Sequence, residues 1–271
     1  MSNVYTQAAA ALACPDPDAK LALTAALAAD WQAGRLDCTP CALMPAVGRP
    51  EKPRLVPPAQ LPARGAHTPE GRAALIHAIA HIEFNAINLA LDHIVRFPDF
   101  PQEYIDDWIR VAAEEAYHFG LVRDHLLTLG HEYGDFDAHD GLWQMTLKTA
   151  HDPLARMALV PRLLEARGLD ATPPIQKKLQ GVGDMEAVAI LDIILRDEVG
   201  HVAIGDRWFR VLCAERGLEA EATYRLLLEQ YSAPWPQPPL NEKASRAAGF
   251  SETELRELLS RKGIASGQSA P

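Results

Sequence analysis

The motif Glu-x-x-His occurs twice in this chain, in residues 113–119 (AEEAYHF) and again in residues 196–202 (RDEVGHV). The paired residues are Glu115 with His118 and Glu198 with His201. Positions three apart lie on one face of a helix, about 5–6 Å from each other, so the glutamate and the histidine of each copy can reach the same site. Each copy therefore predicts part of a metal site on a helix.

One glutamate flanked by apolar residues precedes each copy of the motif, Glu83 before the first and Glu165 before the second. Glu165 lies 82 residues after Glu83, and both Glu115 to Glu198 and His118 to His201 span 83 residues. This spacing indicates an internal duplication into two helical hairpins, each supplying one glutamate from its first helix and Glu-x-x-His from its second. Four-helix bundles hold two iron or manganese ions with this ligand set.

The candidate ligands lie in apolar helical stripes and not on solvated faces. Burying four carboxylates in one core without counter-charge would cost several kcal/mol per ion. No lysine or arginine occupies these stripes to offset that cost. Divalent or trivalent metal ions are the compensation that the pattern favours.

Composition narrows the class of protein. A chain of 271 residues that is 48% hydrophobic is sufficient for one large domain with appendages. Its net charge of −10 disfavours a nucleic-acid partner and favours a small or neutral substrate. No run approaches eighteen apolar residues and no signal peptide is recognisable, so we expect no membrane span and a cytoplasmic location. The four cysteines are too scattered for a disulfide framework.

The pattern divides the chain into three segments. Residues 1–69 contain two short helices, expected at 4–13 and 20–33, and a proline-rich arm at 39–69 that packs on the bundle. Residues 70–216 form the four-helix bundle that binds the metals. Residues 217–271 form C-terminal helices and a tail.

Breakers and caps set the expected helix ends. The first bundle helix is expected at 70–97, and the second runs from the turn at 97–101 to about 130. The third is expected from the crossover loop to Gly168, with a kink at Pro161, and the fourth from Asp184 to Arg216. Residues 172–182 are expected to cap the second hairpin. A further helix is expected at 219–231, and a capping box formed by Ser251 and Glu254 predicts a last one.

Four stretches of sequence resemble a known family: AHIEF at 80–84, AEEAYHF at 113–119, PRLLEARGLD at 161–170 and RDEVGHVAIG at 196–205. On these residues the chain resembles, over most of its length, the ferritin-like domain-of-unknown-function (DUF) 455 family. That family is similar to di-iron tRNA hydroxylases. The resemblance implies an all-α, ferritin-like four-helix bundle. It also implies a metal site at Glu83, Glu115, His118, Glu165, Glu198 and His201. It implies no substrate.

Other reactive residues have simpler interpretations. His81 lies roughly opposite Glu83 on its helix, and we interpret it as a hydrogen-bonding residue between helices. Cys38 and Cys41 have the spacing of a redox motif but lack the strand-then-helix context, so their roles stay open. The histidines and aspartates of the crossover loop at 131–141 are explained by turn chemistry.

Two classes of function fit the pattern. The first is a carboxylate-bridged non-haem di-iron oxidoreductase that uses O₂ to oxidise or hydroxylate a small organic substrate. The alternative is a ferroxidase or a metal-storage protein, and a scaffold without chemistry is disfavoured by the intact ligand set. The expected cofactor is two iron ions, with manganese or a mixed pair left open. The expected partners are O₂, the small substrate and an electron-donor protein, and a homodimer is compatible with both classes.

Overall fold

The computed structural model describes residues 2–41 and 43–260, and its regular structure is almost entirely helical. The helices are α1 (Val4–Ala13), α2 (Pro17–Gln32), α3 (Pro69–Arg96), α4 (Gln102–Thr128), α5 (Gly141–Lys148), α6 (Pro153–Leu159), α7 (Ala166–Gly181), α8 (Met185–Glu215), α9 (Ala220–Gln230), α10 (Glu242–Ala247) and α11 (Glu252–Ser260). Two short strands, β1 (Ser2–Asn3) and β2 (Leu36–Asp37), pair in parallel, with Ser2 opposite Leu36. The all-α prediction is confirmed.

Side-chain caps fix where the first helices begin. The Asn3 side chain accepts hydrogen bonds from the backbone N–H groups of Tyr5 and Thr6 at the start of α1. Helix α2 begins three residues earlier than predicted, because the Asp16 side chain accepts the Ala19 N–H and a proline occupies the first turn. A proline there loses no hydrogen bond, since that N–H has no partner in the helix.

The proline-rich arm is extended, as predicted. Its described residues include one 3₁₀ turn, Pro58–Gln60. Arg49 holds the arm in place: its Nη2 lies 2.7 Å from Oδ1 of Asp140 and 3.5 Å from Oδ1 of Asn85 on α3. The arm therefore packs along the helix that carries Glu83.

Helices α3 and α4 form a hairpin and pack against each other. By length and composition alone, α3 could cross a membrane, since an 18-residue window reaches a mean hydropathy of 1.4. However, 78% of that window is buried within the protein. The core helix of a soluble protein has the same properties, so the cytoplasmic location stays a prediction.

The chain forms two compact units, one of residues 1–148 and 176–194 and the other of residues 149–175 and 195–271. Helices α3 and α4 belong to the first unit. In the second unit, the short C-terminal helices bury apolar side chains against α7 and the later part of α8. This cluster contains Leu169, Val202, Ala244, Ala248, Phe250 and Leu255.

The prediction that a helix ends at Gly168, with residues 172–182 as a cap, is wrong, because α7 continues to Gly181. Pro173 lies inside α7 and lacks the N–H that would normally bond to the carbonyl of Leu169. The side-chain amide of Asn241 donates to that carbonyl at 3.2 Å. A contact from a distant part of the chain therefore helps α7 to continue past Pro173, the first of its two internal prolines.

The later helices begin close to the predicted residues. Asp184 precedes α8, and its carboxylate accepts the backbone N–H of Ala187 at 3.1 Å. The capping box is confirmed: Ser251 Oγ accepts the Glu254 N–H at 3.1 Å, and the Glu254 carboxylate accepts the Ser251 N–H at 2.9 Å. Helix α10 is an additional element that the sequence analysis does not predict.

Candidate metal centre

The first unit brings Glu83 of α3 together with Glu115 and His118 of α4, and all three are buried. His118 Nδ1 lies 3.3 Å from Oε2 of Glu83 and 3.5 Å from Oε2 of Glu115. One potential ligand atom from each residue lies within 4.8 Å of those of the other two. Three of the six candidate ligands therefore share one small volume.

The neighbouring side chains keep this volume largely free of solvent. Phe84 and Phe119 directly follow Glu83 and His118, and their ring centroids are 5.4 Å apart. The apolar residues one helical turn away on the ligand faces are buried as well, namely Ile79, Ile87, Val111 and Val122. Electrostatic interactions are stronger in such surroundings than in water.

The electrostatics of His118 show how strongly the site attracts positive charge. Burial alone would lower the pKa of His118. Contact with the carboxylates of Glu115 and Glu83 outweighs burial and raises this pKa to about 11. Without metal, the imidazole is therefore protonated at neutral pH and supplies a cation beside the two carboxylates. A metal ion that binds through this nitrogen must displace the proton.

The second unit holds the second motif on α8. His201 Nδ1 lies 3.4 Å from Oε1 of Glu198, close to the separation found between His118 and Glu115. The His201 side chain is 1% exposed and that of Glu198 is 12% exposed, so the pair has limited access to solvent. Both copies of the motif thus make the same internal contact.

Glu165, the remaining candidate ligand, is buried at the end of a π-helical turn, Val160–Glu165, that joins α6 to α7. The sequence predicts a kink at Pro161, whereas the structure has this turn. π-helical turns are often found at functional sites. Gly205 of α8 allows the close approach, because a Cβ at this position would lie 2.5 Å from Cβ of Pro161. The glycine therefore helps to set the position of the segment that ends in Glu165.

A buried ion cluster next to this turn is not apparent from the sequence. Arg162 Nε donates to Oδ1 of Asp206 at 2.7 Å, and the same guanidinium donates to the Glu254 carboxylate on α11. Its carbon Cζ also lies 4.1 Å from the ring centroid of Tyr224. The cluster ties a C-terminal helix to the turn that carries Glu165.

We expect Glu254→Gln to destabilise the protein by about 3 kcal/mol, since removing one partner of a buried ion pair leaves the other charge uncompensated. Glu252→Gln is the matched control, because this residue of the same helix forms an ion pair with Arg246 at the surface. Urea unfolding of both variants measures the difference. Equal stability of the two variants would show that the cluster does not anchor α11.

The other residues considered in the sequence have structural contacts. His81 is a hydrogen-bonding residue, as interpreted, with Nδ1 2.8 Å from the Tyr133 hydroxyl and Nε2 3.1 Å from the Asn85 amide. These partners lie in a loop and on the same helix, so the expected contact between helices is not the one observed. Cys38 and Cys41 are free and partly exposed. Their roles stay open.

Turn chemistry accounts for Asp135 and His139 of the crossover loop, as predicted, whereas Asp137 and Asp140 form ion pairs with Arg54 and Arg49 of the arm. The Asp135 carboxylate accepts the backbone N–H of Glu132 at 2.9 Å. His139 Nδ1 accepts the backbone N–H of Gly141 at 3.2 Å, at the start of α5. These two contacts help to fix the path of the loop.

Comparison with known proteins identifies the family but not the activity. The chain is 54% identical over 213 residues to an uncharacterized protein of Haemophilus influenzae, a match that covers 76% of this chain and 74% of the relative. No solved structure matches the chain. The model of the family described as "Protein of unknown function (DUF455)" matches residues 13–256. The chain therefore belongs to the DUF455 family.

Proposed function

We propose that this protein is a carboxylate-bridged non-haem di-iron oxidoreductase that uses O₂ to oxidise or hydroxylate a small organic substrate. The observation that carries the proposal is the buried group of Glu83, Glu115 and His118. Two carboxylates and one imidazole in so small a volume suit a metal ion better than a purely structural contact. Hard carboxylate oxygens combined with imidazole are suitable ligands for iron and manganese.

The proposed site contains two metal ions and uses six residues of the chain. They are Glu83, Glu115, His118, Glu165, Glu198 and His201. The duplication supports this assignment, since the two motifs make internal contacts of 3.5 and 3.4 Å and each follows a buried glutamate. One histidine per metal leaves coordination positions open for O₂ and substrate.

The proposed fold around this site is a ferritin-like four-helix bundle. Its members would be α3, α4, the helical segment through Glu165, and α8. The lengths of 28, 27 and 31 residues for α3, α4 and α8 support the proposal, because each exceeds the usual length of a globular helix. Helices of this length span a bundle from end to end.

The residues of the chain have separable roles in the proposed reaction. The glutamates would hold the metal ions and offset their charge, and His118 would lose its proton on becoming a ligand. The apolar side chains around Glu83 exclude water from the reacting groups. The bound metals would supply the electron-transfer chemistry needed to reduce O₂. A hydroxylation consumes one substrate C–H bond, O₂, two electrons and two protons, and it yields an alcohol and water. An electron-donor protein would supply the two electrons.

Oxygen uptake and iron loading distinguish this function from the ferroxidase or storage alternative. We expect the amount of O₂ that the reduced protein consumes to be limited by its two metal ions. We also expect no mineral core to form when excess ferrous iron is added. Oxygen-electrode measurements and iron analysis after gel filtration test both points. Accumulation of hundreds of iron ions per assembly would overturn the oxidoreductase proposal in favour of storage.

A further inference from the structure

The π-helical turn that ends in Glu165 approaches α8 very closely at one point. A Cβ at Gly205 would lie 2.5 Å from the Cβ of Pro161, so this contact requires a glycine. Gly205 follows His201 by four residues and Glu198 by seven, and all three therefore lie on one face of α8. The turn packs on the helix face that carries the second motif.

From this contact the two segments run in opposite directions. Leu169 of α7 shares a buried cluster with Val202, which precedes the glycine of the contact on α8. Glu165 lies four residues after the proline of the contact, and His201 lies four residues before its glycine. Equal steps along antiparallel helical segments end at about the same level. The contact therefore sets Glu165 roughly level with His201.

A neutral ion cluster holds the two segments together at the same point. Arg162 Nε donates to Oδ1 of Asp206 at 2.7 Å, and its guanidinium also donates to the Glu254 carboxylate of α11. Arg210 donates to the same two carboxylates, at 2.7 and 3.2 Å. The Arg162 side chain is 0% exposed, so its charge depends on these carboxylates. Through Arg162, Glu254 therefore helps to hold the register that places Glu165.

The π-helical geometry makes the direction of the Glu165 side chain sensitive to this anchoring. A π-helical turn closes with hydrogen bonds between residues five apart, whereas an α-helix closes with residues four apart. Relaxation of the turn to an α-helix would shift the residues after it by one position around the helix, about 100°. The Glu165 carboxylate would rotate by the same amount.

We propose that Glu254 and Gly205 are positioning residues for the metal ion bound by the second motif, because together they keep Glu165 in reach of Glu198 and His201. Gly205 admits the π-helical turn, and Glu254 holds it in place through the buried guanidinium of Arg162. The inference rests on the proposed function, which assigns the three ligands. It gives the C-terminal helix α11 a role in metal binding although this helix supplies no ligand.

Two glycines of α8 provide a matched test of the contact. Gly205→Ala and Gly200→Ala add the same methyl group inside the same helix. The methyl at 205 meets Pro161, whereas at 200, apart from its neighbours in the helix, no heavy atom of the described residues lies within 4 Å. We expect Gly205→Ala to weaken the binding of one of two manganese(II) ions about 10–100-fold, and Gly200→Ala to bind both as the unsubstituted protein does. Equilibrium dialysis followed by metal analysis measures both affinities.

A second matched pair tests the anchor on α11. We expect Glu254→Gln to weaken the binding of the same ion by a similar factor, while Glu252→Gln, at a surface ion pair of the same helix, does not. A merely structural anchor would change stability and leave both metal affinities as they are. Electron paramagnetic resonance of the manganese-loaded proteins distinguishes these cases, because a protein that has lost one ion of a coupled pair shows the hyperfine pattern of an isolated ion.

The outcomes separate this inference from the proposed function. If the unsubstituted protein binds no metal, the proposed function is wrong and this inference fails with it. If the unsubstituted protein binds two ions, unchanged affinities in folded Gly205→Ala or Glu254→Gln would overturn the positioning role of that residue alone. Gly205→Ala decides the proposal if Glu254→Gln does not fold, since the glycine substitution leaves the ion cluster intact.

Discussion

Glu115→Ala should remove at least one of the two metal ions that we expect each purified chain to hold, and Glu198→Ala should do the same. Glu115 is fully buried, and its Oε2 lies 3.5 Å from Nδ1 of His118. Both residues belong to the group that also contains Glu83. Truncation deletes a charged ligand and leaves a cavity that offers no replacement oxygen. Metal analysis of the purified variants by mass spectrometry gives the number of ions per chain.

Two exposed glutamates provide matched controls for these substitutions. Glu103 lies on α4 with Glu115, and Glu186 lies on α8 with Glu198. Glu103→Ala and Glu186→Ala remove the same carboxylate from the same helices, so we expect both to retain two metal ions. If Glu115→Ala and Glu198→Ala also retain all their metal, the six-residue assignment is wrong.

Local sequence patterns predict the parts of this structure that depend on local interactions. The stripe containing Glu83 and the Glu-x-x-His motif of α4 predict which faces are buried, because residues three and four apart share a helix face. The capping box at Ser251 likewise depends only on residues three apart. The helices and the contact between Glu115 and His118 could therefore be anticipated from short stretches of sequence, whereas the approach of Glu83 depends on how α3 packs against α4.

The features that the sequence did not predict depend on contacts between distant residues. Helix α7 passes Pro173 with help from Asn241, which is 68 residues further along the chain. Arg162 is buried because Asp206 and Glu254 neutralise it, and these lie 44 and 92 residues away. No local pattern around Pro173 or Arg162 specifies such partners. A search for arginines within otherwise apolar helical segments would have identified Arg162 as a candidate, though not its contacts.

Removal of the metal should lower the melting temperature of the protein substantially. An ion that binds only the folded state, at a thousand times its Kd, stabilises that state by about 4 kcal/mol, which corresponds to roughly 10 °C for a chain of this size. In the metal-free protein the protonated imidazole of His118 offsets part of the carboxylate charge of Glu83 and Glu115. The carboxylates still repel one another, so some should take up protons or admit water.

The double substitution Glu83→Gln with Glu165→Gln should narrow the difference in melting temperature between metal-loaded and metal-free protein. Neutral amides reduce the repulsion in the metal-free form, which raises its melting temperature. They also weaken metal binding, which lowers the melting temperature of the metal-loaded form. The control is Glu103→Gln with Glu186→Gln, which changes two exposed glutamates and should leave the difference as it is. Thermal unfolding at neutral pH with and without chelator measures all three proteins. If the native protein melts no lower after metal removal, the buried carboxylates are not cross-linked by metal and this explanation of the core is wrong.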